Sequence, residues 1–218
     1  MIRRRFLTAS ASIAIGVTLS ACKIVATAKR QSGGDEGGGG EFDPAAMVSA
    51  IWNTKVIPYL AAKAGPLPEV LALARANPDE AGKRWGYRAQ QGSEPWTYIV
   101  KIEGRIVAAD TASRAATISV DTKGDGKVAA QVQIGPAMRG TALRDALNFV
   151  SFNDFKNQID YAQFGKAFNQ YVVRAELANL PRDKLVGRDV SVLGAFTLEA
   201  GDRPPLVTPA QLKLEPAS

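Results

Sequence analysis

Thr97-Tyr98-Ile99-Val100-Lys101-Ile102-Glu103-Gly104-Arg105-Ile106-Val107-Ala108-Ala109-Asp110 is the stretch on which the fold turns. From Pro95 onward the apolar period changes from 3.6 residues to 2, which marks a strand with one face toward a core. Gly104 inside it predicts a bulge or bend. The same period predicts further strands at Ala115 to Val120, Lys127 to Ile134, Asp189 to Leu198 and Leu206 to Leu214. The third and fourth of these five strands are separated by a helical crossing. Thr141 is a fair N-cap for a short helix, Phe149 to Phe152 reads as briefly extended, and Phe164, Phe168, Tyr171 and Val172 give one helix face. Three strands, a helical crossing and two strands is the layout of an oligonucleotide/oligosaccharide-binding (OB) barrel. Val186-Gly187-Arg188-Asp189-Val190-Ser191-Val192-Leu193-Gly194 fits the glycine-bounded fourth strand of such a barrel. The fold class expected is α+β, with an OB-like five-stranded β-barrel over residues 93–218 preceded by a helical segment over 43–92.

The helical segment is punctuated by proline. Asp43-Pro44 supplies an N-cap acceptor and a first-turn proline. Val48, Ile51, Trp52, Val56, Tyr59 and Leu60 then fall near one face, and Pro58 predicts a kink. Gly65 ends this helix, and shorter helices follow over about residues 68–76 and 78–85. The Trp52 and Tyr59 stripe reads as core rather than as a ligand groove.

Upstream, Arg3-Arg4-Arg5 precedes an uncharged run from Leu7 to Leu19 that ends in Leu19-Ser20-Ala21-Cys22. That run is short of the ~20 apolar residues of a permanent span. Charge, apolar length and small terminal residues together predict an export signal over residues 1–21. Leu-Ser-Ala-Cys resembles the lipobox of bacterial lipoproteins, in which the cysteine is acylated and the chain is cut before it. Each buried methylene contributes ~0.8 kcal/mol, so the two or three acyl chains of such a cysteine form a lasting anchor. Lys23 in place of an aspartate leans toward the outer membrane. Arg3-Arg4-Arg5-Phe6-Leu7 also resembles a twin-arginine export motif, against the alternative of an ordinary basic leader. Residues 22–42, with glycines at 33, 34 and 37–40, read as a tether. No Gly-Lys-Ser/Thr follows the glycines, which excludes a phosphate loop.

Composition removes several functions. The formal charge is +6, but three of the 27 basic residues and none of the 21 acidic ones lie in residues 1–21, which leaves 24 against 21. A net +3 is no nucleic-acid footprint. There is no histidine, and Cys22 is the only cysteine. The commonest general base and the commonest zinc ligands are therefore absent, and no metal or cofactor is expected. Asp121-Thr122-Lys123-Gly124-Asp125-Gly126 has the look of a calcium loop. Lys123 and Val132 stand where ligands belong, so a hairpin turn is the better reading.

Cys22-Lys23-Ile24-Val25, Ser49-Ala50-Ile51-Trp52, Pro95-Trp96-Thr97, Ile134-Gly135-Pro136, Arg139-Gly140-Thr141-Ala142-Leu143-Arg144-Asp145-Ala146-Leu147 and Ser151-Phe152-Asn153-Asp154-Phe155 resemble the bacterial predicted periplasmic lipoproteins filed as a domain of unknown function. The resemblance spans nearly the whole mature chain. It implies a periplasmic, lipid-anchored protein whose partners are the bilayer, through acylated Cys22, and an envelope or ABC-transporter protein. It also implies a non-enzymatic binding or accessory role beside a sugar-uptake ABC transport system.

The residues best placed for binding are Arg139, Arg144, Asp145, Asn153, Asp154 and Asn157, with Asp160 nearby. An arginine fork beside carboxylates and amides suits sugar hydroxyls or a carboxylated ligand. The bland alternative is that these groups cap the crossing segment and satisfy one another. Asp145, Asp154 or Asp160 could also serve a paired-carboxylate glycosidase, and a purely structural envelope lipoprotein is a third reading. Neighbours on a helix diverge, so Arg144 is expected to pair not with Asp145 but with Asp154 or Asp160, and to be structural. Arg139, ahead of the N-cap, is expected to be exposed.

Overall fold

The computed structural model describes residues 42–89 and 94–215. The predicted signal, Cys22 and the tether up to residue 41 lie outside the described residues.

Helix α1 (Pro44–Ile51) is capped by Asp43, whose side chain accepts from the amides of Ala45 and Ala46. A π-helical turn (Trp52–Val56) then leads into α2 (Ile57–Lys63). This turn is the form that the kink expected at Pro58 takes. Pro58 has no N–H to give, and the Ile57 amide reaches back five residues to the Trp52 carbonyl. A short strand, β1 (Gly65–Pro66), is followed by α3 (Leu67–Ala76), α4 (Pro78–Trp85) and another short strand, β2 (Gly86–Tyr87). Both short strands pair with the barrel's first strand.

The barrel strands are β3 (Thr97–Asp110), β4 (Thr117–Asp121), β5 (Ala130–Gln133), β6 (Asp189–Thr197) and β7 (Leu206–Leu214). Their order is β3-β4-β5-β7-β6, and β6 returns to β3, so the sheet closes on itself. The β5–β7 pair is parallel and the other four are antiparallel. The five-stranded OB-like barrel expected from the strand pattern is therefore the fold. The long first strand serves two partners: Thr97 to Arg105 pair with β6, and Arg105 to Asp110 pair with β4. Gly104 sits at the handover. A Cβ there would lie 2.1 Å from the Asp121 carbonyl oxygen, so only glycine lets the two backbones approach. The bulge itself falls two to three residues later, between Ile106 and Ala108.

The second strand runs from Thr117 to Asp121 rather than from Ala115 to Val120, and the third starts at Ala130 rather than Lys127 because the hairpin between them takes more chain. The Asp121 carboxylate accepts from the amides of Lys123 (2.8 Å), Gly124 (2.9 Å) and Gly126 (2.7 Å). This is a turn built around one side chain, as the hairpin reading expects. The three donors, Lys123 foremost, hold the carboxyl below its ordinary 3.8. The unfolded chain takes up that proton more readily, so the contribution is complete above about 3.8 and is lost as pH falls through the folded value. Asp121→Asn is expected to lower the melting temperature at pH 7. Its gap from wild type should narrow in melts carried from pH 7 to pH 3, and a gap that ignores pH would refute the assignment.

The crossing between β5 and β6 contains α5 (Ala142–Asp145), a 3-10 turn (Phe152–Asp154) and α6 (Gln158–Ala175). The stretch expected to be extended at Phe149 to Phe152 turns instead. Ser151 and Asp154 form a reciprocal capping box that nucleates the 3-10 turn. Phe164, Phe168 and Val172 of α6 are buried against the barrel and α1. Trp52 is fully buried beside Tyr171 (4.5 Å between centroids) and Phe168 (6.0 Å). Trp52 of the aromatic stripe is thus core, while Tyr59 is half-buried and packs edge-on against Phe149, and the helical segment and the barrel share one continuous apolar cluster.

Candidate functional site

Arg144 decides the local structure. It is 9% exposed, and its guanidinium is almost fully committed. Nε and Nη2 donate to Asp145 Oδ1 at 2.8 and 2.6 Å, Nη1 donates to the Tyr161 carbonyl at 3.0 Å, and Nη2 also reaches the Thr141 hydroxyl at 3.2 Å. The guanidinium lies over the Tyr161 ring, 3.7 Å from its centroid. Gly165 makes room for it, since a Cβ there would stand 2.8 Å from Nη1. The expected partners were Asp154 or Asp160, and this is corrected. Helix α5 is a single turn, so the divergence of neighbours on a long helix does not apply, and a long arginine folds back onto the next residue. Thr141 steadies the pair by donating to Asp145 Oδ2 at 2.6 Å. For the same reason its hydroxyl makes no capping bond to the α5 backbone.

The other acids of the motif are spent locally. Asp154 accepts from the Ser151 amide, and Asn157 caps α6 while its amide group donates to Asp160. Arg139 is exposed, and what it contributes is backbone: its N–H donates to Gln133 Oε1 and its carbonyl accepts from Gln133 Nε2.

Arg144, Asp145 and Asn153 meet in a cleft of about 590 Å³, whereas Arg139, Asp154 and Asn157 do not line it. Ser151, Phe152 and Tyr161 from the crossing form one wall. Tyr87, Arg88 and Glu94 form the other, and Thr97 and Thr197 close the floor, their hydroxyls 3.3 Å apart across β3 and β6. Arg88 is stacked over Trp96 (4.4 Å) with Nη1 3.4 Å from Asp79, and the Trp96 indole donates to the same carboxylate at 2.7 Å. Burial raises the Tyr161 phenol above its ordinary value, partly offset by the Arg144 charge.

Sequence reasoning missed the second wall. Tyr87, Arg88, Glu94 and Thr197 carry no local signal; the β2–β3 pairing sets Tyr87 beside Thr97, and the β3–β6 pairing brings in Thr197. Among the described residues no group of three or more His, Cys, Asp or Glu is placed to hold a metal. Asp145 and Glu94 are the acids that line the cleft.

Residues 12–213 match the family model described as predicted periplasmic lipoprotein (DUF2291). The chain belongs to this family. It is accordingly a membrane-anchored periplasmic lipoprotein, and Cys22 falls inside the matched residues. No helix among the described residues is long and apolar enough to cross a membrane. The lipoprotein is also similar in fold to a solved OB-fold protein from Thermotoga maritima. The two are 21% identical with a TM-score of 0.66, and the match covers 80% of this chain and 99% of that one. No curated protein matches the lipoprotein in sequence.

Proposed function

We propose that this lipoprotein is a non-enzymatic binding module whose cleft takes a small polyhydroxylated ligand of the sugar class. The observation that carries the reading is Asp145. It lines the cleft with its side chain 34% exposed while hydrogen bonds from Arg144 and Thr141 fix its orientation. A carboxylate held this way accepts from hydroxyl groups without moving. Phe152, Tyr161 and Tyr87 add aromatic area, Asn153 and Ser151 add short polar groups, and about 590 Å³ suits a ligand of one or two sugar rings.

The paired-carboxylate enzyme draws less support. Asp154 and Asp160 are engaged in caps away from the cleft, so the acid that shares it with Asp145 is Glu94, and Asp145 is already tied to Arg144 and Thr141. A place beside a sugar-uptake ABC transport system and residence in the outer membrane, suggested by Lys23, fit the same proposal.

The test is calorimetry of the mature protein with a panel of aldopentoses and aldohexoses. Saturable binding by at least one sugar is expected, weakened about five- to tenfold by Asn153→Ala, since a lost polar contact to ligand costs ~1–1.5 kcal/mol. Arg139→Ala should bind as wild type does. No saturable binding across the panel, or binding indifferent to both Asn153→Ala and Asp145→Asn, would overturn the proposal.

A further inference from the structure

Six large apolar side chains are exposed among the described residues, and four of them gather in two touching segments. Met47 (41%) lies on α1, and Phe149 (39%), Phe152 (50%) and Ile159 (68%) lie on the crossing that leads into α6, which packs on α1. The first described residue, Phe42, belongs to the same region. Its ring meets Phe155 edge-on at 6.2 Å, and Phe155 in turn packs on Tyr161 and Phe164. The chain that leads from the predicted lipid anchor therefore joins the folded body beside this exposed apolar region.

We infer that this face, centred on Phe152 and Ile159 and including Met47, rests on the phospholipid surface to which the lipoprotein is anchored. Three observations select the bilayer as occupant. Nineteen residues lie between Cys22 and Phe42, so the covalent path of twenty steps holds this face within about 70 Å of the anchored cysteine at full extension and nearer otherwise. Exposed aromatic and branched side chains are what the boundary between headgroups and acyl chains accepts. The nearby charges supply no pull toward anionic lipid, since one exposed cation, Lys156, stands among three acids, the exposed Asp43 and Asp154 and the half-buried Asp160. Contact thus relies on apolar insertion and is insensitive to salt. Because Phe152 and Asn153 also line the cleft, docking sets the cleft at the membrane surface. The docking itself does not depend on what the cleft binds.

Hydrogen exchange tests this. The acylated protein in phosphatidylcholine vesicles is compared with the mature Cys22→Ser chain free in solution. Amides of residues 149–159 should exchange about tenfold or more slowly on vesicles, and raising the salt to 0.5 M should change nothing, on the order of one Debye length being only ~4 Å there. Met47→Ser combined with Ile159→Ser, neither of which lines the cleft, should leave the protein anchored and its melting temperature unchanged while abolishing the protection. Equal exchange on vesicles and in solution overturns the inference. Protection that fades as the protein is diluted in the membrane also overturns it, since a second copy would then cover the face.

Discussion

Arg144→Ala is expected to lower the melting temperature by about 5–10 °C, while Arg139→Ala leaves it within about 1 °C of wild type. The two arginines sit five residues apart in one motif and do opposite things. Truncating Arg144 strips the Tyr161 carbonyl of a donor, leaves Asp145 with Thr141 alone and removes the cation from the Tyr161 ring. Breaking a fully buried pair costs roughly 3–5 kcal/mol. Asp145 is 34% exposed and can recruit water, so a loss of about 2–3 kcal/mol is the better figure. Arg144→Lys should recover little, because an ammonium cannot serve Asp145, Thr141 and Tyr161 as a planar fork does. Arg139 is exposed, and its bonds to Gln133 are made by backbone atoms that alanine retains. Thermal melts of the three variants decide the matter, and a larger loss for Arg139→Ala than for Arg144→Ala would overturn it.

Cys22→Ser should move nearly all of the protein from the membrane to the soluble fraction. The family is one of lipid-anchored proteins, and the lipobox-like Leu19-Ser20-Ala21-Cys22 points the anchor to Cys22, the only cysteine in the chain. At ~0.8 kcal/mol per buried methylene, even one long acyl chain outweighs the apolar contact that a few exposed side chains make. The docking face centred on Phe152 and Ile159 therefore orients the wild-type protein without being able to hold the variant. Fractionation after a high-salt wash, with intact mass to read the acyl adduct, checks this. A serine variant that stays bound as firmly as wild type would remove Cys22 from its role.

The barrel could be read from residues because each of its strands turns one face inward, and that obligation prints a period of 2 on the chain. The predicted bounds of the first, fourth and fifth strands fall within a residue of β3, β6 and β7. Misplacements occur where a side chain takes over the backbone's hydrogen bonds. Asp121 lengthens the hairpin, and the Ser151–Asp154 box turns a segment read as extended. Arg144–Asp145 is the sharper lesson, since rules for a long helix face were applied to a helix of one turn.

The sequence by itself determined the strand pattern and the absence of histidine, and it carries the lipobox-like end of the leader, because each is written in contiguous or periodic residues. Only the tertiary structure decided the cleft. Barrel closure brings Thr97 within 3.3 Å of Thr197, a hundred residues later, and the β2–β3 pairing adds Tyr87 to the cleft that Arg144 and Asp145 line. Contacts across such separations come from strand pairing and core packing, and no local pattern in the chain encodes which distant side chains those will bring together.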